Sequence, residues 1–381
     1  MKLIIQKNDL LYAVNAVSRA ISNKNTFPIL GGIMMVAPED LPGKLVLSGT
    51  DLEMAIECLI DAEIEEYGKI VVPGRYLQEL VRHLPDGPIT FSSDNVFELC
   101  LSYEQSEVAI RCFDPEEFPV LPTAEGNIRG KVAVSTFRRM VKQVSIAAAT
   151  DEVRPLFTGI LIELANSKLI MVASDTHRLA IGEGIWQGET SGEAKLVLPC
   201  RTMQEIARLS VSDEGMIEIV ASRNQAYFRL ENITFATRVI SGQYPDYHQV
   251  LPANGLYCCH TTIQREKLME SLERASLLSR DAARGKANIV CLNWREEGLL
   301  LTAESPEVGH IYEELSASLS GEQIEASYNA RYLLDALKVM DDDQVSFHLT
   351  GGSTPGIILP EGVEQEQSPY TYLVLPVRLS K

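Results

Sequence analysis

A short amphipathic pattern occurs three times in this chain, at residues 72–82, 198–209 and 328–338. In the middle copy Met203, Ile206, Ala207 and Leu209 fall near helical spacing and make one apolar stripe. Pro199 is expected at the first helical position, where its missing N–H costs nothing. Each copy carries an arginine (Arg75, Arg201, Arg331) and an acid four residues on (Glu79, Glu205, Asp335). A second base follows seven residues after the first (Arg82, Arg208, Lys338). The two bases are therefore two turns apart on one helix face, opposite the apolar stripe. The copies are 126 and 130 residues apart. That interval is one domain length, so the chain is read as triplicated.

The flanking sequence repeats in the same order. Residues 2–5 read as a strand, followed by a helix capped by Asn8-Asp9 with the stripe Leu10, Ala13, Val14, Val17 and Ile21. A strand is expected over 27–36. A proline-rich stretch at 114–122 ends the first unit. The second unit restarts with Ser135 capping a helix over 136–148, and residues 154–160 match 27–33 at an offset of 127. The segment 173–180 takes the place of 48–55. The third unit has a helix over 264–280 and strands over 287–293 and 299–304, and closes on a strand over 370–379. Each unit holds two halves of the form strand–helix–strands. The expected fold is α+β, with six helices, mostly antiparallel sheet, and domains at 1–125, 126–252 and 253–381.

Composition narrows the function class. No apolar run approaches the ~18 residues of a membrane span, and the first residues, Met1-Lys2-Leu3-Ile4-Ile5-Gln6-Lys7, lack a signal-peptide core. Seven cysteines with no C-x-x-C spacing read as reduced thiols, so a cytoplasmic location is expected. The net charge of −18 argues, taken alone, against nucleic acid. Its distribution argues otherwise. The helix windows 7–20, 73–84, 135–147, 199–210, 263–280 and 328–340 are each net positive, +8 together, which leaves −26 for the rest. Solvated helix faces commonly carry mixed charge. A positive sign in all six windows is less readily explained that way.

An enzyme needs a site, and the sequence offers one weak pair: Asp175 and His177, two residues apart, which an extended backbone would place on one side as an acid and a base. A hydrolase built on that pair is one alternative; an acidic protein-binding scaffold without DNA is another. There is no phosphate-binding loop, metalloprotease motif or nucleophile motif. Asp341-Asp342-Asp343 reads as a solvated turn. No metal, no cofactor and no catalytic activity are expected.

The segments Phe27-Pro28-Ile29-Leu30, Arg154-Pro155-Leu156-Phe157-Thr158-Gly159, Ser174-Asp175-Thr176-His177-Arg178-Leu179-Ala180, Tyr244-Pro245-Asp246-Tyr247 and Leu375-Pro376-Val377-Arg378-Leu379 together resemble the bacterial sliding clamps, the beta subunits of DNA polymerase III. The resemblance spans the whole chain. It implies a head-to-tail homodimer closed into a ring, with helices lining a hole for duplex DNA. The implied partners are the polymerase catalytic subunit, the clamp loader and other clamp-motif peptides. The cationic residues it places toward DNA are Lys24, Arg75, Arg82, Arg138, Arg139, Lys142, Arg201, Arg208, Arg331 and Lys338.

The resemblance also implies a peptide pocket of Phe157, Thr176, His177, Arg178, Leu179, Pro245, Val250, Leu373, Leu375, Pro376, Val377 and Arg378. By pattern alone Leu373, Leu375 and Val377 fit a buried edge strand equally well. The implied ring interface uses Leu80, Leu84, Leu277 and Leu278, which pattern alone assigns to core.

Helix width gives an independent check. Six helices, each ~10 Å wide, set side by side close a circle with a bore of about 9 Å. Duplex DNA is about 20 Å across and would not pass. Twelve helices leave a bore of about 28 Å, so two chains can encircle DNA where one cannot.

Overall fold

The computed structural model describes residues 1–21, 27–121, 125–165, 167–189, 194–209, 211–253, 256–278, 288–305 and 308–378. Six α-helices occur among them: α1 (Lys7–Val17), α2 (Gly74–His83), α3 (Val134–Ser145), α4 (Cys200–Ala207), α5 (Arg265–Leu278) and α6 (Ala330–Val339). All paired strands are antiparallel, so the α+β expectation holds. Among the described residues no helix is long and apolar enough to cross a membrane.

The chain divides into two compact units, and they are not the sequence repeats. The first comprises Met1–Ser135, Gln187–Ser191 and Glu205–Val239; the second comprises Thr136–Trp186, Gly192–Gln204 and Ile240–Lys381. The reason is sheet continuity. In the first unit, Ile233–Arg238 from the second repeat pairs with Met54–Asp61 from the first, with Ala236 opposite Ala55. This joins strands of both repeats into one nine-stranded sheet. The second unit does the same one repeat later. There Arg178–Ile185 pairs with Tyr370–Val374, with Leu179 opposite Leu373, at the centre of a second nine-stranded sheet.

Each unit adds a smaller sheet that ends on an open edge. In the first, Ser106–Arg111 is the last of five strands, and alternate residues along it are exposed. In the second, Gly309–Leu315 is the first of four.

Helix starts show why the expected caps misplace the boundaries. The helix expected from Asn8-Asp9 begins at Lys7, directly after the strand Lys2–Gln6, and Gln6 supplies no side-chain cap. Its first N–H is donated instead to the Gly87 carbonyl at 3.0 Å. Ser135, expected as a cap, lies inside the first turn of α3, where the Val134 N–H donates to the Gly215 carbonyl at 3.0 Å. The Arg265 N–H at the start of α5 donates to the Asp343 carbonyl at 2.9 Å. Three helices one repeat apart are thus capped by backbone about 80 residues downstream, which satisfies orphan donors without a polar cap residue. The Asp341–Asp343 turn therefore has a structural task.

Two prolines and two strand ends also differ from expectation. Pro73 and Pro199 close the strands Gly68–Pro73 and Ala194–Pro199, each one residue before its helix. The strand expected over 27–36 opens with a 3-10 turn, Pro28–Gly31, and runs as Gly32–Ala37. The closing strand stops at Val374, since Pro376 has no N–H to continue a ladder. Arg280, Ala287 and Leu379, expected in the third unit's elements, lie outside the described residues.

The apolar stripes behave as the period requires. Leu10, Ala13, Val14 and Val17 are buried on α1, and Leu77 and Val81 on α2. Helix α3 packs closely on the strand Arg178–Ile185 because Gly184 has no side chain. A Cβ there would sit 2.6 Å from Thr136 Cγ2 and 2.7 Å from Met140 Sδ.

Candidate functional site

The repeated helix pairs of bases do lie on the exposed side. Arg75 and Arg82 on α2, Arg201 on α4, Arg208 just past its end, and Arg331 and Lys338 on α6 are all exposed, while Leu77 and Val81, Met203 and Ile206, and Leu333 and Leu337 between them are buried. The acid between each pair is used differently in the three copies. Glu79 accepts from Arg82 at 3.2 Å, and Glu205 accepts from Arg208 at 3.1 Å, both one turn away. Glu205 also holds Arg19 of the 3-10 turn after α1 at 2.7 Å. In the third copy Asp335 turns to Arg178 at 2.6 Å, and Lys338 pairs instead with Glu273 on α5 at 3.1 Å. The exposed pairs among these, Arg82–Glu79 and Lys338–Glu273, are worth little, ~0–1 kcal/mol, so those two cations are available to a stronger anion.

On α3, Lys142 is exposed and 3.4 Å from Asp341, and Arg138 is half-buried. Arg139 departs from the DNA-facing expectation. Its guanidinium donates to the Glu183 carbonyl at 2.9 Å and to Gln143 Oε1 at 3.2 Å. Burial pushes its pKa down. It ties α3 to the neighbouring strand rather than presenting charge to solvent. Lys24 lies outside the described residues.

Within the second unit, Phe157, Thr176, His177 and Arg178 come together around a cleft of about 590 Å³. One tight turn fixes its edge. Asp175 Oδ1 accepts the N–H groups of His177 (2.9 Å) and Arg178 (3.1 Å), and the Ser174 hydroxyl donates to the Arg178 carbonyl at 2.9 Å. Those bonds hold Thr176 at φ +75°, a left-handed conformation that is costly for a β-branched residue. The Arg178 guanidinium is nearly buried. It pairs with Asp175 (2.9 Å) and Asp335 (2.6 Å) and lies 4.4 Å over the Tyr332 ring. Burial opposes its charge, but Tyr372, Asp335 and Asp175 outweigh that and raise its pKa. The His177 ring stacks on Tyr332, with centroids 6.3 Å apart.

Asp175 thus has both oxygens engaged, Oδ1 by backbone and Oδ2 by Arg178, in a structural turn. His177 is held against an aromatic ring. This is not the geometry of an acid–base couple. Asp175→Ala should cost about 2–4 kcal/mol, by stranding two backbone donors and taking one of two carboxylates from a nearly buried guanidinium. Asp175→Asn, which keeps an acceptor for the backbone, should cost about half as much. Urea denaturation read by circular dichroism checks both. A loss under about 0.5 kcal/mol for the alanine variant would show that the turn does not depend on this carboxylate.

The first unit builds the same turn. Asp51 Oδ1 accepts from Glu53 and Met54, the Thr50 hydroxyl donates to the Met54 carbonyl, and Leu52 sits at φ +76°. Its cavity is smaller, about 170 Å³.

The remaining expected pocket residues fall into two groups. Leu179 and Leu373, each 3% exposed, belong to an apolar cluster with Leu161, Val172, Val197 and Tyr247. They are core and do not form an open wall. Leu373 is also on an interior strand of its sheet, not an edge. Pro245, Val250, Leu375 and Arg378 are exposed, and Pro376 and Val377 are half-buried. The Leu375 N–H donates to the His177 carbonyl at 2.9 Å, and the Val377 N–H to the Ser327 carbonyl at 2.7 Å, which ties this tail beside the cleft-edge turn.

Sequence reasoning missed Arg154 and Tyr332, which line the cleft, and placed Arg331 only among DNA-facing residues although it lines the cleft as well. The signal was present: Arg154 begins one of the repeated motifs, and Tyr332 follows the repeated arginine just as Tyr76 does. Among the interface expectations, Leu277 is 65% exposed, and Leu80 and Leu278 are half-buried. Leu84 departs from expectation: at 5% exposure it is already covered within its own chain.

Three family models match the chain in succession. They are the DNA polymerase III beta subunit N-terminal domain over residues 1–122, its central domain over 131–246 and its C-terminal domain over 248–378. The chain is 30% identical over 387 residues to the beta sliding clamp of Staphylococcus aureus, covering 99% of both. It is equally similar to that of Staphylococcus epidermidis. Among solved structures, the sliding clamp of Bacillus subtilis superposes with a TM-score of 0.93 at 28% identity over the whole of both chains. A sliding clamp from Pseudomonas aeruginosa bound to griselimycin superposes with a TM-score of 0.92 at 27% identity, also over the whole of both chains.

Proposed function

The chain belongs to the DNA polymerase III beta-subunit family, the sliding clamps of bacterial DNA replication, and we propose that two copies close head to tail into a ring that encircles duplex DNA. Three clamp domains, at 1–125, 126–252 and 253–381, repeat in each copy. The observation that carries the reading is that the two smaller sheets each end, among the described residues, on an open edge strand, Ser106–Arg111 in one and Gly309–Leu315 in the other. Unpaired edges of six and seven residues are a liability in a monomer. They lie in the first and third repeats. Pairing the first edge of one copy with the second edge of its partner is a heterologous contact, which ends after two steps if the rotation closes. Leu277 and Leu278 at the end of α5, and Leu80 on α2, flank this joint. Twelve helices then supply the bore that six cannot.

The hold on DNA is topological, with a weak cationic lining. Arg75, Arg82, Arg138, Lys142, Arg201, Arg208, Arg331 and Lys338 meet phosphates without reading bases, which permits sliding. The acidic remainder of the chain repels DNA from other surfaces. Partners, including the polymerase catalytic subunit and the clamp loader, dock extended peptides in the cleft at Phe157, Thr176, His177 and Arg178. Its mixed apolar and polar lining suits one or two Leu or Phe anchors. The role is tethering, without chemistry on the bound partner.

Loading onto nicked circular DNA by the cognate clamp loader tests the reading. The protein should stay with the circle through gel filtration at 0.5 M salt and fall at least tenfold once the circle is cut. Direct binding to short linear duplex should be weak and lost with salt. Equal retention on cut and uncut circles would refute encirclement.

A further inference from the structure

We propose that His260 and His348 form an exchangeable two-histidine site for a divalent transition-metal ion of the nickel, copper or zinc type. The residues belong to neighbouring strands, Cys259–Gln264 and Gln344–Leu349, and are directly opposite one another in register. Register puts both imidazoles on one face of the sheet. Their Nδ1 atoms are 2.8 Å apart, and their rings are perpendicular, at 89° with centroids 4.8 Å apart. The Ser346 hydroxyl holds His348 from behind, 3.0 Å from Nε2. The Tyr257 ring stands edge-on to both imidazoles, at 5.8 and 5.4 Å.

Two ring nitrogens that converge this way share one hydrogen at most. Its loss leaves two lone pairs directed at one point. Metal–imidazole bonds of about 2.0–2.1 Å at a near-tetrahedral angle place two nitrogens roughly 3.3 Å apart. The pair therefore needs to open by only about half an ångström, a small side-chain rotation. His348 is half-buried between Ser346 and Tyr257, which fixes its ring against the neighbouring imidazole. His260 is exposed and gives the ion access from solvent.

Among the described residues no group of three or more His, Cys, Asp or Glu side chains is placed to hold a metal. Water must complete the coordination. This separates the site from a closed four-ligand structural zinc centre and makes it exchangeable. Bound metal would clip the two strands together and stabilise the native state by an amount that grows with the logarithm of free metal over its Kd. Cys258 is the rival ligand nearby, although its thiol is directed to the Leu349 carbonyl at 3.6 Å.

Titration calorimetry of the full chain with nickel chloride at pH 7.5, with thiols kept reduced, decides it. One tight nickel per chain is expected, with a Kd of about 1–100 µM. His260→Ala and His348→Ala should each weaken it at least tenfold, and Cys258→Ser should leave it unchanged. Nickel should also raise the melting temperature of the unmodified chain but not of the His260→Ala variant. His260→Ala changes an exposed residue, so that arm does not depend on His348→Ala folding. Unchanged nickel affinity in His260→Ala, or binding that disappears with Cys258→Ser, would overturn the proposal.

Discussion

Leu277→Asp is expected to convert the dimer to a monomer at micromolar concentration. Leu277 is on the last turn of α5, 65% exposed in the isolated chain, so an aspartate there costs the protomer's own fold little. In the proposed ring the same position is covered by the partner copy. Losing a buried leucine removes about 1.5–3 kcal/mol, and burying an unpaired carboxylate adds several more. A total of at least about 4 kcal/mol weakens association about a thousandfold or more. Sedimentation velocity should show the monomer, circular dichroism should show an unchanged fold, and retention on nicked circular DNA should vanish. Leu84→Ala is the contrasting variant. Leu84 is covered within its own chain, so its loss should lower protomer stability by about 2–3 kcal/mol with little direct effect on association. A Leu277→Asp protein that remained dimeric would remove the end of α5 from the ring interface.

What could be read from the sequence follows from how local each signal is. The apolar stripes of α1 and α2 depend only on the residues that carry them, and their burial follows the 3.6-residue period. The triplication was legible for the same reason: Arg75, Arg201 and Arg331 recur with their acids and second bases whatever the chain does elsewhere. Helix starts were not legible. Asn8-Asp9 and Ser135 read as polar caps, but the first N–H groups of α1, α3 and α5 bond to the carbonyls of Gly87, Gly215 and Asp343, and no local pattern encodes a partner so distant.

The same limit applies to the site residues. Arg138 and Arg139 are adjacent and look alike in sequence, yet Arg139 is held inward by the Glu183 carbonyl. The compact units were hidden too. Pairing of Ile233–Arg238 with Met54–Asp61 draws the end of one repeat into the sheet of the one before it, and the repeat itself gives no sign of where its last strand will go. The turn at Asp175 shows how the two levels meet. Its Asp175 and His177, two residues apart, read in sequence as a candidate acid–base pair. The backbone bonds to Oδ1 show that the motif builds a rigid corner, and the Thr50-Asp51 counterpart builds the same corner in the first unit.

That corner is why changes at the cleft should abolish partner capture while sparing the ring. Phe157 is half-buried, edge-on to Tyr244 with ring centroids 5.8 Å apart, and lines the cleft that the Asp175 turn borders. A pre-formed aromatic wall of this kind is where interface energy concentrates. Phe157→Ala should therefore cost about 2–3 kcal/mol of peptide binding, a 30- to 150-fold rise in Kd. Leu375 is 37% exposed, and its backbone is tied to His177. Leu375→Asp places a charge beside the path of an apolar anchor and should weaken binding at least a hundredfold. Fluorescence anisotropy with a labelled peptide bearing Leu and Phe anchors measures both. Leu52→Asp, at the matching turn of the first unit, should leave affinity unchanged. Both cleft variants should still dimerise and remain on nicked circles when loaded, because in the proposed ring topology, and not the cleft, holds DNA. Full peptide affinity in Phe157→Ala and Leu375→Asp together would move partner docking away from this cleft. Loss of affinity in Leu52→Asp alone would place it at the first unit's turn.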